Sequence, residues 1–533
     1  MGPAARDLSR LHALPRLRDG AADEAGRQAA ATQAGRRARH LGLGAHSVHA
    51  AWQQAGRTLE AAQRRADAPA PDGLHRFDGT HASALNALLN RPGVRGVRVA
   101  SPRLVVDEPL RLLRSGLWLD LGDAELTAPA SAPPYLVRIE SVSGVVLEGG
   151  VLRSGRWGVL VHDSRDVTVR AVRFDGLSEG GVVASAAPGL VVFGTTMRAL
   201  GAAGVLLHGR TEGAAVVGNH IRALRGGSNW HAAIVLSDRE ADLAADPASL
   251  LHADRHGVHE QRIDLRLNGP RGNVVALNRL RHNLSSGLYS DGGIENVIAD
   301  NLVEGNAKEG ICLDNGSAAN VLTANVVRAN GARWGMSDAV LALDFVAGHG
   351  RLGDGSAAAK TPGVSIDNAL YNVVHANLID RNFGGGIKLV RTAFFNVIGS
   401  NVVTDNNEGA SERFHFFGIE LGAARSDSPV DDLDFTPSRG NVVYGNAIRG
   451  GHYAGIFLGD GSTDNELFDN TIFNATRWAI EQVRAQSNAS LNNLSNLPSR
   501  HIGNGLDAWL LDAPAVPLDG KARVPARPAV TPP

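Results

Sequence analysis

Asn273-Val-Val-Ala-Leu-Asn278-Arg-Leu-Arg-His-Asn283, Asn296-Val-Ile-Ala-Asp-Asn301 and Asn320-Val-Leu-Thr-Ala-Asn325 write one unit three times. Its first asparagine recurs at Asn273, Asn296, Asn320, Asn372, Asn396, Asn441 and Asn465, with spacings of 23, 24, 52, 24, 45 and 24 residues. The two long gaps are one 24-residue unit plus about 28 and about 21 inserted residues, because the second asparagine (Asn278, Asn301, Asn325, Asn377, Asn401, Asn446, Asn470) keeps register across them. A period of 20–30 residues with several short strands and no helix makes each unit one turn of a solenoid. Asparagines at one position of successive turns stack, with amides bonding along the ladder and capping turn backbone. Their role is structural.

The self-similar region runs from Ser143 to about Ser495, and the predicted fold is an all-β solenoid, a single-stranded right-handed parallel β-helix. Residues 1–67 read as an α-helical extension, with Leu8, Leu11, Leu14, Leu41, Val48, Trp52 and Leu59 at helical spacing. A packing or oligomerising appendage is expected there. Residues 68–74 read as a linker, 75–142 as an N-terminal cap and first coils with a helix over Ala82–Leu89, 143–495 as the β-helix with long inserted loops, and 496–533 as a C-terminal tail. Glycine numbers 63 and aromatics make up only 5% of the chain, as many tight turns around a Val/Ile/Leu core require.

Charge excludes one class of partner. The 53 Lys and Arg nearly cancel 54 Asp and Glu, leaving no global field to hold nucleic acid or an anionic membrane. The single cysteine, Cys312, rules out an internal disulfide framework. Met1–Gly20 lacks the apolar run of about 7–15 residues of a secretory signal, and no run of about 18 apolar residues follows. The sequence thus predicts a protein without a membrane span, cytoplasmic, or exported if a leader has been trimmed. The phosphate-binding and zinc-protease motifs are missing.

This repeat resembles the pectin lyase-like superfamily of right-handed parallel β-helices, which holds polygalacturonases, pectate and alginate lyases, mannuronan epimerases and phage tailspikes. The resemblance covers roughly residues 143–495 and implies a polysaccharide partner; it is specific for fold and weak for activity.

Aligned on their glycine, the strands after each asparagine turn read Gly287-Leu-Tyr-Ser-Asp291, Gly310-Ile-Cys-Leu-Asp314, Gly363-Val-Ser-Ile-Asp367, Gly386-Ile-Lys-Leu-Val-Arg391, Gly418-Ile-Glu-Leu421 and Gly455-Ile-Phe-Leu-Gly-Asp460. Period-2 alternation sends Leu288, Ile311, Val364, Ile387, Ile419 and Ile456 inward. The outward set holds a column of Asp291, Asp314 and Asp367, flanked by Tyr289, Lys388, Arg391 and Glu420. Stacked like charges are destabilising, so compensation from Lys388 and Arg391, a bound cation or a raised pKa is expected. Carboxyl groups one coil apart, at about 5 Å, match a retaining glycosidase pair, and two coils apart, at about 9.6 Å, approach the inverting range.

The candidate catalytic residues are therefore Asp291, Asp314, Asp367, Lys388 and Arg391. Tyr289, Asn315, Asn368, Glu420, Trp334, His349 and His415 are candidate substrate contacts, with Phe414 and Phe416 beside them. No cofactor is required for a glycosidase. In the alternative, a lyase or uronate epimerase, Asp291, Asp314 and Asp367 hold Ca²⁺ and Lys388 or Arg391 is the base. A third reading is a non-catalytic glycan-binding or assembly protein that oligomerises through its N-terminal helices. Against these stands a plain turn-capping role, since Asp314-Asn315, Asp367-Asn368 and Asp291-Gly292 are all turn dipeptides. Insertions at about 239–270, 331–362, 407–416 and 424–438 adjoin the aspartate strand and would wall it into a cleft. The order Ser290-Asp291, Leu313-Asp314-Asn315, Gly348-His-Gly350 and Ile387-Lys388 is similar to the polygalacturonase order Asn-Thr-Asp, Asp-Asp, Gly-His-Gly and Arg-Ile-Lys. It departs at Asn315, at Gly386 and in placing His349 inside an insertion, and the Asp-Pro-His signature of mannuronan epimerases is absent.

Overall fold

The computed structural model describes residues 48–129, 133–226, 231–237, 269–331, 361–390, 392–407, 416–422, 438–459, 461–485 and 487–502. Three parallel sheets of 15, 14 and 14 strands run the length of the chain. The chain visits them in rotation. Val274–Ala276 belongs to the first (sheet A), Arg279–Arg281 to the second (B) and Ser286–Asp291 to the third (C), and each strand pairs with its counterpart one coil on. The hand is the one that crossovers between parallel strands adopt. The inward residues Leu288, Ile311, Val364, Ile387, Ile419 and Ile456 are fully buried in one continuous core.

Three asparagine ladders hold the corners. Asn325 is typical: its Oδ1 accepts from the Asn301 backbone N–H (3.0 Å) and Nδ2 (2.9 Å), while its own Nδ2 donates to Asn377 Oδ1 (3.0 Å) and Ile298 O (2.8 Å). Every hydrogen-bonding atom of the amide is satisfied, which is what burial demands. The residue before each ladder asparagine is in the left-handed region, even where it is Leu277 (φ 57), Tyr371 (φ 58) or Phe395 (φ 56). That conformation costs a non-glycine residue about 1–2 kcal/mol, and the ladder bonds offset it. His452 takes an asparagine's place at the end of the third ladder, with Nε2 accepting from the Asn406 N–H (3.1 Å).

From Gly287 to Gly455 the residue before the inward aliphatic of each sheet C strand is a glycine in close approach to the next coil, whereas Ala233 and Ala479 hold that position on the coils to either side. A Cβ on Gly310 would lie 2.7 Å from Gly363 O, and one on Gly418 2.6 Å from Gly455 O.

Helix α1 (Val48–Ala66) lies on the outer face of sheet A, burying Ala55, Leu59 and Ala62 against Val191, Ala215, Val217, Val274 and Ala276. Its apolar stripe is thus used within the chain. Residues 1–47, the rest of the expected helical extension, lie outside the described residues. Helix α2 (Ala82–Leu89) packs on the open end of the core, where the expected capping helix falls. Coiling begins at His75–Phe77, which pairs with Gly96–Val99. At the other end, Arg500–Ile502 continues sheet C past residue 495.

Candidate active site on sheet C

Strand register fixes the outward columns of sheet C. Asp291 pairs with Asp314. On the next coil the Leu313–Ile366 pair brings Asp367 beside Asp314, and Asp367 pairs with Val390. The three aspartates therefore occupy one column on consecutive coils. The neighbouring column runs Tyr289, Cys312, Ser365, Lys388, Glu420.

Asp291 is 1% exposed, and Tyr289, Asp367 and Glu420 are also buried, so only Asp314 and Lys388 of this group reach toward solvent. Lys388 pairs with Glu420 (Nζ–Oε1 3.6 Å), one coil beyond the aspartates, and so neutralises the glutamate. Asp314 is oriented from two sides: the Tyr289 hydroxyl donates to Oδ2 (2.9 Å) and the Asn315 N–H to Oδ1 (2.8 Å). Burial first, then the charges of Asp314 and Asp291, hold the Tyr289 pKa well above its usual range. Tyr289 is accordingly a proton donor in a hydrogen bond, unsuited to act as a base.

Asn315 and Asn368 both sit in the left-handed region (φ 48), and Asn368 Oδ1 accepts from the Thr392 hydroxyl. The second bond at Asp314 is thus a turn-capping contact as well as an orienting one. Arg391, Trp334, His349, His415 and Phe414 lie outside the described residues, as does nearly all of each inserted loop.

The same column extends upstream through residues that the repeat alignment does not reach: Ser185, His208 and Ser237 precede Asp291 coil by coil. His208 is buried, its pKa is lowered to about 4 by burial and then by His162, and its Nδ1 lies 3.4 Å from Ser185 Oγ. A neutral imidazole and two hydroxyls thus continue the polar line. Its sequence signal, Leu207-His208 aligned with Leu236-Ser237 and Ser290-Asp291, is broken by the insertion after Ser237.

Among the described residues no group of three His, Cys, Asp or Glu side chains is placed to hold a metal ion.

The fold is a parallel β-helix of three sheets. A family model described as "Periplasmic copper-binding protein (NosD)" matches residues 252–414. No curated protein sequence matches the chain. Among solved structures, the chain is similar to the catalytic domain of a GH87 alpha-1,3-glucanase (10% identity, TM-score 0.43, 80% of this chain and 68% of that one). It is similar also to the Dettilon tailspike protein (14%, 0.44, 80% and 68%) and to the A-module of the Azotobacter vinelandii mannuronan C-5 epimerase AlgE6 (12%, 0.44, 80% and 100%). These are likenesses of fold. No helix among the described residues is long and apolar enough to cross a membrane.

Proposed function

We propose that the protein is a carbohydrate-active enzyme that cleaves or rearranges glycosidic linkages of a polysaccharide on the outer face of sheet C. The observation that carries this reading is the in-register column Asp291, Asp314, Asp367, with Asp291 and Asp367 buried and Asp314 partly exposed beside Tyr289 and Lys388. Strands one coil apart are about 4.8 Å apart, close to the roughly 5–5.5 Å separation of a retaining pair. Asp314, oriented by Tyr289 and Asn315, is the nucleophile. Asp367, one coil on, gives its proton to the glycosidic oxygen as the bond to the anomeric carbon breaks. It then takes a proton from the water that releases the sugar from Asp314. Asp291 supplies negative potential to the positive charge developing on the ring, and the Lys388–Glu420 pair, with its ammonium partly exposed, holds sugar hydroxyls.

One observation favours a second reading, a non-catalytic glycan-binding protein: Asp314 Oδ1 caps its own turn through Asn315. A turnover screen of wild type and Asp314→Asn on neutral and uronate polysaccharides separates the two. Reducing ends without unsaturated products, abolished by the substitution, support the hydrolase. Unsaturated products move the assignment to a lyase. Glycan binding without turnover, unchanged in Asp314→Asn, supports the binding protein.

A further inference from the structure

The outer face of sheet B carries a second polar column that is nearly a perfect salt-bridge ladder. Reading coil by coil, it runs Arg153, Asp175, Arg198, Arg222, Arg281, Glu304, Arg328, Asp380. Asp175 binds Arg153 (2.9 Å) and Arg198 (2.8 Å), and Glu304 binds Arg281 (2.6 Å) and Arg328 (2.7 Å). Signs alternate along the column except at Arg222, which stands where an acid would complete the ladder. In the adjacent column His220 pairs with Arg279. Neither Arg222 nor Arg279 makes an ion pair or side-chain hydrogen bond among the described residues, and Arg222 is exposed. The His220 pKa is lowered, first by burial and then by Arg222, Arg279 and Arg281, so the cations converge on one spot. Like charges on facing residues of neighbouring strands destabilise a sheet, and this face keeps three arginines in a row.

We infer that the face of sheet B around His220, Arg222 and Arg279 binds an acidic polysaccharide, whose carboxylate or sulfate groups take the place of the missing acid in the ladder. The cations repeat at the coil spacing of about 4.8 Å along a flat strip, which suits a linear polyanion. Across these coils, from Arg173–Asp175 to Leu302–Glu304, the strands of sheet B turn no Phe, Tyr or Trp outward. A single-stranded nucleic acid would need such rings to stack its bases. This inference is independent of the sheet C reading.

The test compares wild type with Arg222→Glu and with Arg76→Glu, which makes the same change in net charge at the far N-terminal coil. Binding of polygalacturonate and of a single-stranded oligonucleotide is measured by calorimetry at about 20 mM and about 300 mM salt, with melting temperature read in parallel. The expected result is polygalacturonate binding that weakens at high salt and falls at least roughly tenfold in Arg222→Glu alone. That variant should melt higher than wild type, because its ladder now alternates throughout. Unchanged polygalacturonate binding in Arg222→Glu, equal loss in both variants, or tighter binding of the oligonucleotide would each overturn the inference.

Discussion

Replacing Asn325 by alanine removes four hydrogen bonds at once: those from the Asn301 N–H and Nδ2, and those to Ile298 O and Asn377 Oδ1. The site is sealed, since Asn301, Asn325 and Asn377 are at most 2% exposed. Water therefore cannot stand in for the lost amide without opening the corner. The Asn301 N–H is left with no acceptor, and one hydrogen of its Nδ2 likewise, although the other still reaches Val275 O (2.9 Å). An unsatisfied buried donor costs about 1–3 kcal/mol, so the two together predict a loss of about 2–6 kcal/mol. Denaturant unfolding followed by circular dichroism reads the loss, and hydrogen exchange of the peptide spanning 296–306 locates it. Asn493, at the partly buried end of the same ladder, is the internal control: Asn493→Ala leaves its orphaned groups within reach of water and should lose less than half as much. A loss below about 1 kcal/mol for Asn325→Ala, or equal losses for the two variants, would refute the ladder as the element that holds the corners.

His452 predicts a pH dependence. Burial lowers its pKa from 6.5 to about 4 in the fold, so between those values the unfolded chain binds the proton that the folded chain refuses. Its contribution is complete above about 6.5 and is lost as pH falls toward 4, by about 3 kcal/mol; unfolding midpoints across that range should fall in wild type and fall less in His452→Asn, which keeps an acceptor for the Asn406 N–H. Gly310→Ala pushes a methyl to 2.7 Å from Gly363 O and 2.3 Å from Val327 Cγ1, and should lower stability by about 2 kcal/mol or more by the same unfolding assay. Tyr289→Phe should cost about 1 kcal/mol, the net worth of one hydrogen bond to a carboxylate that water still reaches; in wild type the absorbance titration of folded protein should show Tyr289 and Tyr135 staying protonated after the less buried tyrosines have ionised. Asp314→Asn should keep the wild-type melting temperature within a few degrees and lower turnover roughly 10²–10⁴-fold, and a fall in melting temperature large enough to account for the lost activity would return Asp314 to a turn-capping role.

The features legible in the sequence are those that repeat with fixed spacing. From Asn273 onward each coil writes its asparagines, its glycine and its inward aliphatics at the same offsets, so the ladders, the glycine column and the aspartate column could be aligned by counting. Earlier coils use other groups for the same corners, such as Thr195, whose N–H and hydroxyl both donate to Asn219 Oδ1. Counting therefore stops before His208 and Ser237. Burial was hidden as well: an outward position in an alternating strand reads as exposed, yet Asp291, Tyr289 and Glu420 are enclosed. Lys388 illustrates a second gap, because its distance to Glu420 against that to Asp367 depends on a diagonal between coils that spacing does not specify. The unbroken run Arg198, Arg222, Arg281 is invisible until register sets residues 24 and 59 positions apart face to face.

The ladder bonds that bridge long insertions have the same lengths as those that bridge none. Asn325 reaches Asn377 across 52 residues at 3.0 Å, and Asn301 reaches Asn325 across 24 at 2.9 Å. A coil therefore carries no memory of how much chain left it and returned, provided the return point is correct. Framework and decoration are separate parts: segments leaving near Ser237, Gly331, Asn407 and Gly422 can be lengthened, shortened or exchanged between related chains while every corner bond stays in place. Selection acting on what the protein grips can thus rewrite the loops alone, and a grafted loop should be accepted there with little effect on melting.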